Sequence, residues 1–162
     1  AMFENGNEIY SSFIQALLSH NVEELEEILM DISYTSMSYF DVGKRPGQAP
    51  ENFYHGLVLG LIVSLKDRYR IVSNRESGRG RYDIAMYPLQ AGEDAFIIEF
   101  KVCNGKKGET LEKAAENALQ QIEEKRYEAD LLAEGILKER IYKLGIAFSG
   151  KDVYVKQAAA RA

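Results

Sequence analysis

Tyr82-Asp83-Ile84-Ala85-Met86-Tyr87 and Ala95-Phe96-Ile97-Ile98-Glu99-Phe100-Lys101, separated by the turn-rich residues 88–94, decide how this chain is read. Both runs are rich in β-branched and aromatic residues and are bounded by turn signals, so they read as consecutive strands. Side chains two apart in a strand point to one face, which puts Glu99 and Lys101 together and turns Ile98 and Phe100 the other way. An acid and a lysine inside so apolar a strand are costly to bury without partners. Asp83, sixteen residues before Glu99 on the neighbouring strand of an antiparallel pair, supplies one. Two carboxylates meeting across a strand pair make an oxygen-ligand site suited to Mg²⁺. A lysine beside them can stabilise charge on a phosphate or help deprotonate a bound water. The plainer alternative is an acid–lysine ion pair on a solvated face.

Working outward, residues 8–19 carry Ile9, Phe13, Ala16 and Leu17 on one helical stripe. Asn21 followed by Glu24 resembles a capping box and opens a second helix with Leu25, Ile28, Leu29 and Ile32. Residues 41–49, with Gly43, Pro46 and Gly47, form a loop. A third helix over about 50–69 is apolar nearly all round at 57–65, which predicts burial on every side. Strands follow at 69–75, 82–87 and 95–101, then one long helix over 110–134, then strands at 141–148 and 153–156. Helices, three strands, a helix and two strands make a mixed central sheet flanked by helices, α/β in class.

The 162 residues suffice for one domain with a substantial core, and 46% hydrophobic with 28% charged residues describes a globular chain. The longest apolar run, 56–65, is about half of what a membrane span needs, so no membrane partner is expected. A single cysteine, Cys103, excludes an internal disulfide and fits a reducing compartment, with the cytoplasm as the expected location. It also lacks the second Cys or His that a zinc site requires. The net charge of −5 disfavours a surface that simply coats nucleic acid. Locally the balance differs: Arg75, Arg79, Arg81, Lys101, Lys106 and Lys107 face Glu76, Asp83, Glu93, Asp94 and Glu99 across the central stretch. A cation held by two of those acids makes this stretch positive.

Asp83 followed by Glu99-x-Lys101 resembles the PD-(D/E)XK nuclease superfamily, whose core runs helix, three strands, helix, strand. More closely, Phe53-Tyr-His-Gly-Leu-Val-Leu-Gly-Leu-Ile62, Ser73-Asn-Arg-Glu-Ser-Gly-Arg-Gly-Arg-Tyr-Asp83, Ile97-Ile-Glu-Phe-Lys101 and Ala118-Leu-Gln-Gln-Ile122 resemble a bacterial nuclease-like family within it. Members of that family commonly follow an AAA-ATPase-like domain. The resemblance covers roughly Phe53 to Val155. It implies a restriction-endonuclease-like domain over 49–157, preceded by an N-terminal helical extension over 1–48.

The resemblance further implies Asp83 and Glu99 as ligands of Mg²⁺ or Mn²⁺, the Phe100 carbonyl as a further ligand, and Lys101 as the catalytic lysine. The implied activity is metal-dependent hydrolysis of nucleic acid phosphodiesters, DNA above all. The alternative is a catalytically silent module that binds nucleic acid or a partner protein beside an AAA-ATPase-like domain.

Two departures bear on the site. Many superfamily members bring a glutamate from the first core helix to the metal, where this chain offers Glu51 and His55. Exonuclease-like members carry Gln-x-x-x-Tyr on the later helix, whereas Gln121 here is followed by Lys125, with Tyr127 out of register. Ala114, Ala118, Gln121 and Lys125 nevertheless share one helical stripe, and the small alanines allow close approach to the sheet. Gln121 is therefore an additional catalytic candidate and Lys125 an auxiliary one, as is Glu76 before the glycine-rich turn. Arg79, Arg81, Lys106 and Lys107 are candidate phosphate contacts, with solvated loop residues as the plainer reading.

Overall fold

A computed structural model describes residues 6–40, 56–57, 60, 63–76, 81–103, 108–150 and 152–158. Helix α1 (Gly6–Leu18) and helix α2 (Val22–Phe40) form the opening pair. Asn21 caps α2 in both directions: the Glu24 amide donates to Asn21 Oδ1 at 3.2 Å, and Asn21 Nδ2 donates to Glu24 Oε2 at 3.1 Å. Between the helices His20 takes a positive φ of 59°. Its ring stacks on Tyr142 at 3.8 Å, and its Nε2 lies 3.0 Å from Asp94 Oδ2. The helix-end position thus also ties α1 and α2 to the sheet.

A third helix, α3, is described at residues 56–57, 60 and 63–65. Burial on all sides is not what it shows there. Leu57 and Leu65 are buried, while Val63 is 63% exposed and Ser64 is also exposed. Positions eight apart fall on one helical stripe, and 63 and 64 rotate away from it.

The sheet contains β1 (Tyr69–Glu76), β2 (Arg81–Pro88), β3 (Ala95–Val102), β4 (Ile141–Ser149) and β5 (Asp152–Gln157), in that spatial order. Only β3 and β4 pair in parallel; the other neighbours are antiparallel. A parallel pair needs a crossover long enough to return the chain. Helices α4 (Leu111–Glu124) and α5 (Tyr127–Ala133) and the 3-10 turn Lys138–Arg140 provide it. The single helix expected over 110–134 is therefore two helices, broken at Lys125–Arg126. Thr110 caps the first by accepting a hydrogen bond from the Lys113 amide at 3.1 Å.

The two faces of the sheet have different cores. Ile84, Met86, Phe96, Ile98, Phe100, Leu144, Ile146 and Phe148 pack with Phe13, Leu17, Leu25 and Leu29 of α1 and α2. On the opposite face Ala85, Ala95 and Ile97 pack with Ile122 and Leu131, while Ala147 meets Ala114 and Ala115. Small residues bring α4 close to the sheet. A Cβ on Gly145 would lie only 2.4 Å from the Ala115 carbonyl oxygen, so this approach depends on glycine. No helix among the described residues is long and apolar enough to cross a membrane.

Candidate active site

Asp83 and Glu99 are direct register partners on β2 and β3, and Glu99 is in turn paired with Gly145 on β4. Two residues further along β3, Lys101 pairs with Arg81 and with Ala147. Residues opposite one another in an antiparallel pair share a face. Asp83, Glu99 and Lys101 accordingly line the face covered by α4 and α5. The close seating of α4 on Gly145 helps close that face over the acids: Asp83 is 2% exposed and Glu99 1%.

Two adjacent carboxylates lose hydration and repel each other when buried, so their ionised forms require compensating positive charge and hydrogen bonds. The break between α4 and α5 provides both. The Lys125 ammonium donates to Asp83 Oδ2 and lies 3.9 Å from Glu99 Oε2. Two residues later, the Tyr127 hydroxyl donates to Asp83 Oδ1 at 2.6 Å. Burial, followed by this hydrogen bond and the charge of Asp83, raises the pKa of Tyr127, keeping its hydroxyl a donor. Both oxygens of Asp83 are thereby engaged from one helix junction.

Lys143 holds that junction in place. It is buried on β4, and its ammonium reaches Glu123 Oε1 in the last turn of α4 at 2.7 Å and Glu128 Oε2 in the first turn of α5 at 2.6 Å. The lysine thus binds one carboxylate on each side of the break.

Lys101 has a different partner. Its ammonium donates to Glu109 Oε1 at 2.7 Å, an oxygen that also accepts from Asn117 Nδ2 at 3.1 Å. The structure therefore gathers Asp83, Glu99 and Lys125 directly, with Lys101 on the same face but paired to Glu109.

Gln121 is half-buried on α4, one turn before Lys125. The Phe100 ring turns to the other face and stacks near Phe148 at 6.1 Å, leaving only its backbone between Glu99 and Lys101. Glu76 and Arg81 are register partners at the facing ends of β1 and β2. Glu51, His55, Arg79, Lys106 and Lys107 lie outside the described residues.

Tyr127 and Glu109 were not among the candidates read from the sequence. The usable signal for Tyr127 was its place just beyond Gln121 and Lys125, provided that the helix broke. Glu109 sits immediately before the helix-capping Thr110, a position from which an acid can turn back toward the strand ends.

Among the described residues no cluster of three or more His, Cys, Asp or Glu side chains is arranged to hold a metal ion. The Asp83–Glu99 donor pair nevertheless suits a hard divalent cation, because such ions take carboxylate oxygens and retain waters at remaining positions. The ammonium of Lys125 lies against both acids and offsets part of their charge.

A search of curated proteins found no match. A family model described as the PD-(D/E)XK nuclease superfamily matches residues 49–158. That match takes in the whole five-stranded sheet and its α4–α5 crossover, and the mixed sheet with flanking helices agrees with a restriction-endonuclease-like fold. Covering well over half of the sequence, it establishes that the chain belongs to the PD-(D/E)XK nuclease superfamily.

Proposed function

We propose that this domain hydrolyses nucleic acid phosphodiesters, DNA foremost, at a divalent-metal site formed by Asp83 and Glu99. The observation that carries the reading is the pair itself: two buried carboxylates, register-matched on adjacent strands, with the Lys125 ammonium of the helix junction against them. Superfamily members generally use divalent metal ions. Mg²⁺ or Mn²⁺, when bound, would activate water and neutralise charge on the phosphate.

The protein groups have separable tasks in this mechanism. Asp83 and Glu99 supply anionic oxygens and fix their separation through the strand register. Lys101 presents an ammonium on the same face, where it stabilises an anionic phosphate oxygen or orients the attacking water. Glu109 accepts that ammonium in the present structure. The approach of a phosphate offers Lys101 a competing anionic partner. The Phe100 carbonyl and Gln121 remain adjoining candidates for completing the site, and Arg81 for holding the backbone of the substrate.

The test is cleavage of single- and double-stranded DNA with Mn²⁺. Wild-type cleavage should disappear with a chelator. Lys101→Met should lose roughly a hundredfold in rate, the scale of removing an acid–base or charge-stabilising group. Cleavage by Lys101→Met at the wild-type rate contradicts the assigned role.

A second reading, a catalytically silent module that binds nucleic acid or a partner protein beside an AAA-ATPase-like domain, draws support from the engaged state of the site. Asp83 already accepts Lys125 and Tyr127, and Lys101 is paired with Glu109. DNA binding with no metal-dependent cleavage favours this reading, and renewed cleavage on adding an ATPase-like domain returns it to the first. A cytoplasmic setting fits either role and is supported by the single reduced-type cysteine, Cys103.

A further inference from the structure

We propose that Lys125 is a resident counter-ion that competes with the divalent cation for Asp83 and Glu99, so that metal entry requires its ammonium to leave the pair. The inference rests on the metal-site reading above but assigns Lys125 the opposite sign from an auxiliary residue. A helper strengthens metal binding; a resident cation weakens it.

Three observations support competition. First, Lys125 Nζ lies against both acids, bonded to Asp83 Oδ2 and 3.9 Å from Glu99 Oε2. A divalent ion using these carboxylates would bring two positive centres into the same small space, where repulsion is strong and weakly screened. Second, the lysine has a route outward. Its side chain is 21% exposed, whereas those of Asp83 and Glu99 are 2% and 1% exposed. Third, its position is built into the fold. Lys125 ends α4 in an extended conformation, φ −99° and ψ 158°, and the Lys143 pairs to Glu123 and Glu128 hold both sides of the break. Tyr127 secures the other Asp83 oxygen, so the acid can keep its orientation when the ammonium departs.

The arrangement sets positive charge against the two adjacent acids before metal arrives, and it sets a threshold for metal. Apparent dissociation constants rise by the inverse of the fraction of molecules in the competent state. An ammonium occupying the pair nine-tenths of the time, for example, would weaken metal binding about tenfold.

Calorimetric titration of the full chain with Mn²⁺ tests this. Lys125→Met should bind about tenfold more tightly than wild type, while Asp83→Asn should lose binding in either background. Unchanged or weaker binding by Lys125→Met, with wild-type binding still dependent on Asp83, overturns the counter-ion role and leaves the metal site standing. No Mn²⁺ binding by wild type or Lys125→Met overturns both. If Lys125→Met does not fold, Lys125→Gln carries the same comparison with a polar side chain.

The wild-type protein provides a separate readout. On Mg²⁺ addition, the side-chain ¹³Cε resonance of Lys125 should move toward that of a solvated lysine. A resonance that stays in place while Mg²⁺ binds to Asp83 overturns the displacement.

Discussion

Gly145→Ala probes the packing that buries the candidate site. The added Cβ would lie 2.4 Å from the Ala115 carbonyl oxygen and 3.1 Å from Leu119 Cγ. Ordinary contact begins near 3.4 Å, so α4 must retreat by about 1.0 Å or the strand must yield. The nearest obstacle is helix backbone, which cannot swing aside as a flexible side chain can. Overpacking of this kind costs about 1–3 kcal/mol, and a backbone obstacle argues for the upper half of that range. Replacing a strand glycine with alanine recovers about 0.5–1 kcal/mol through reduced backbone entropy loss. Steric cost therefore wins by about 1–2 kcal/mol. For a chain of this length the melting temperature should fall by roughly 2–8 °C. Circular dichroism melting with and without Mn²⁺ measures the loss, and weaker metal binding should accompany it because α4 closes over Glu99. A melting temperature equal to or above the wild-type value refutes the close seating of α4 on β4.

Two other perturbations address the junction and the opposite end of the sheet. Lys143→Met should destabilise the fold by about 1–3 kcal/mol, less than for a fully buried pair because Glu123 and Glu128 retain partial access to water. It should also speed hydrogen exchange of the Asp130 amide, which bonds to the Arg126 carbonyl at the start of α5; unchanged exchange rejects the staple role. Tyr69 is pushed up to about 12, chiefly by burial and next by Glu93, so its contribution favours the folded state below pH 10 and is lost between pH 10 and about 12. Chemical denaturation across that window should show a shallower loss of stability in Tyr69→Phe than in wild type, and identical slopes would contradict the shift.

The legible parts of this molecule were those encoded by local period and composition. Alternation along 95–101 places Glu99 and Lys101 on one face, and the short turn-rich connection from β2 brings Asp83 opposite Glu99. Asn21 and Glu24 announce the start of α2 because a capping box is a contact between near neighbours. The break at Lys125–Arg126 was hidden because no Gly or Pro marks it, and residues 110–134 otherwise read as continuous helix. Lys143, far along the chain on β4, holds the two sides of that break. Its effect on Lys125 and Tyr127 depends on tertiary contacts that helical periodicity does not contain. Glu109 was hidden for a related reason: its pairing with Lys101 depends on the path between β3 and α4. The apolar run at 57–65 suggested burial all round, but a helix packed against one side of a small domain leaves residues such as Val63 in water.

The anomalous scattering of Mn²⁺ in crystals of the protein tests the assignment of Asp83 and Glu99 most directly. The account predicts a peak within about 2.0–2.6 Å of carboxylate oxygens from both residues, the range of hard-cation contacts, with the Lys125 ammonium withdrawn from Asp83. A fully occupied Mn²⁺ site elsewhere, with Lys125 and Tyr127 still bonded to Asp83, would contradict it.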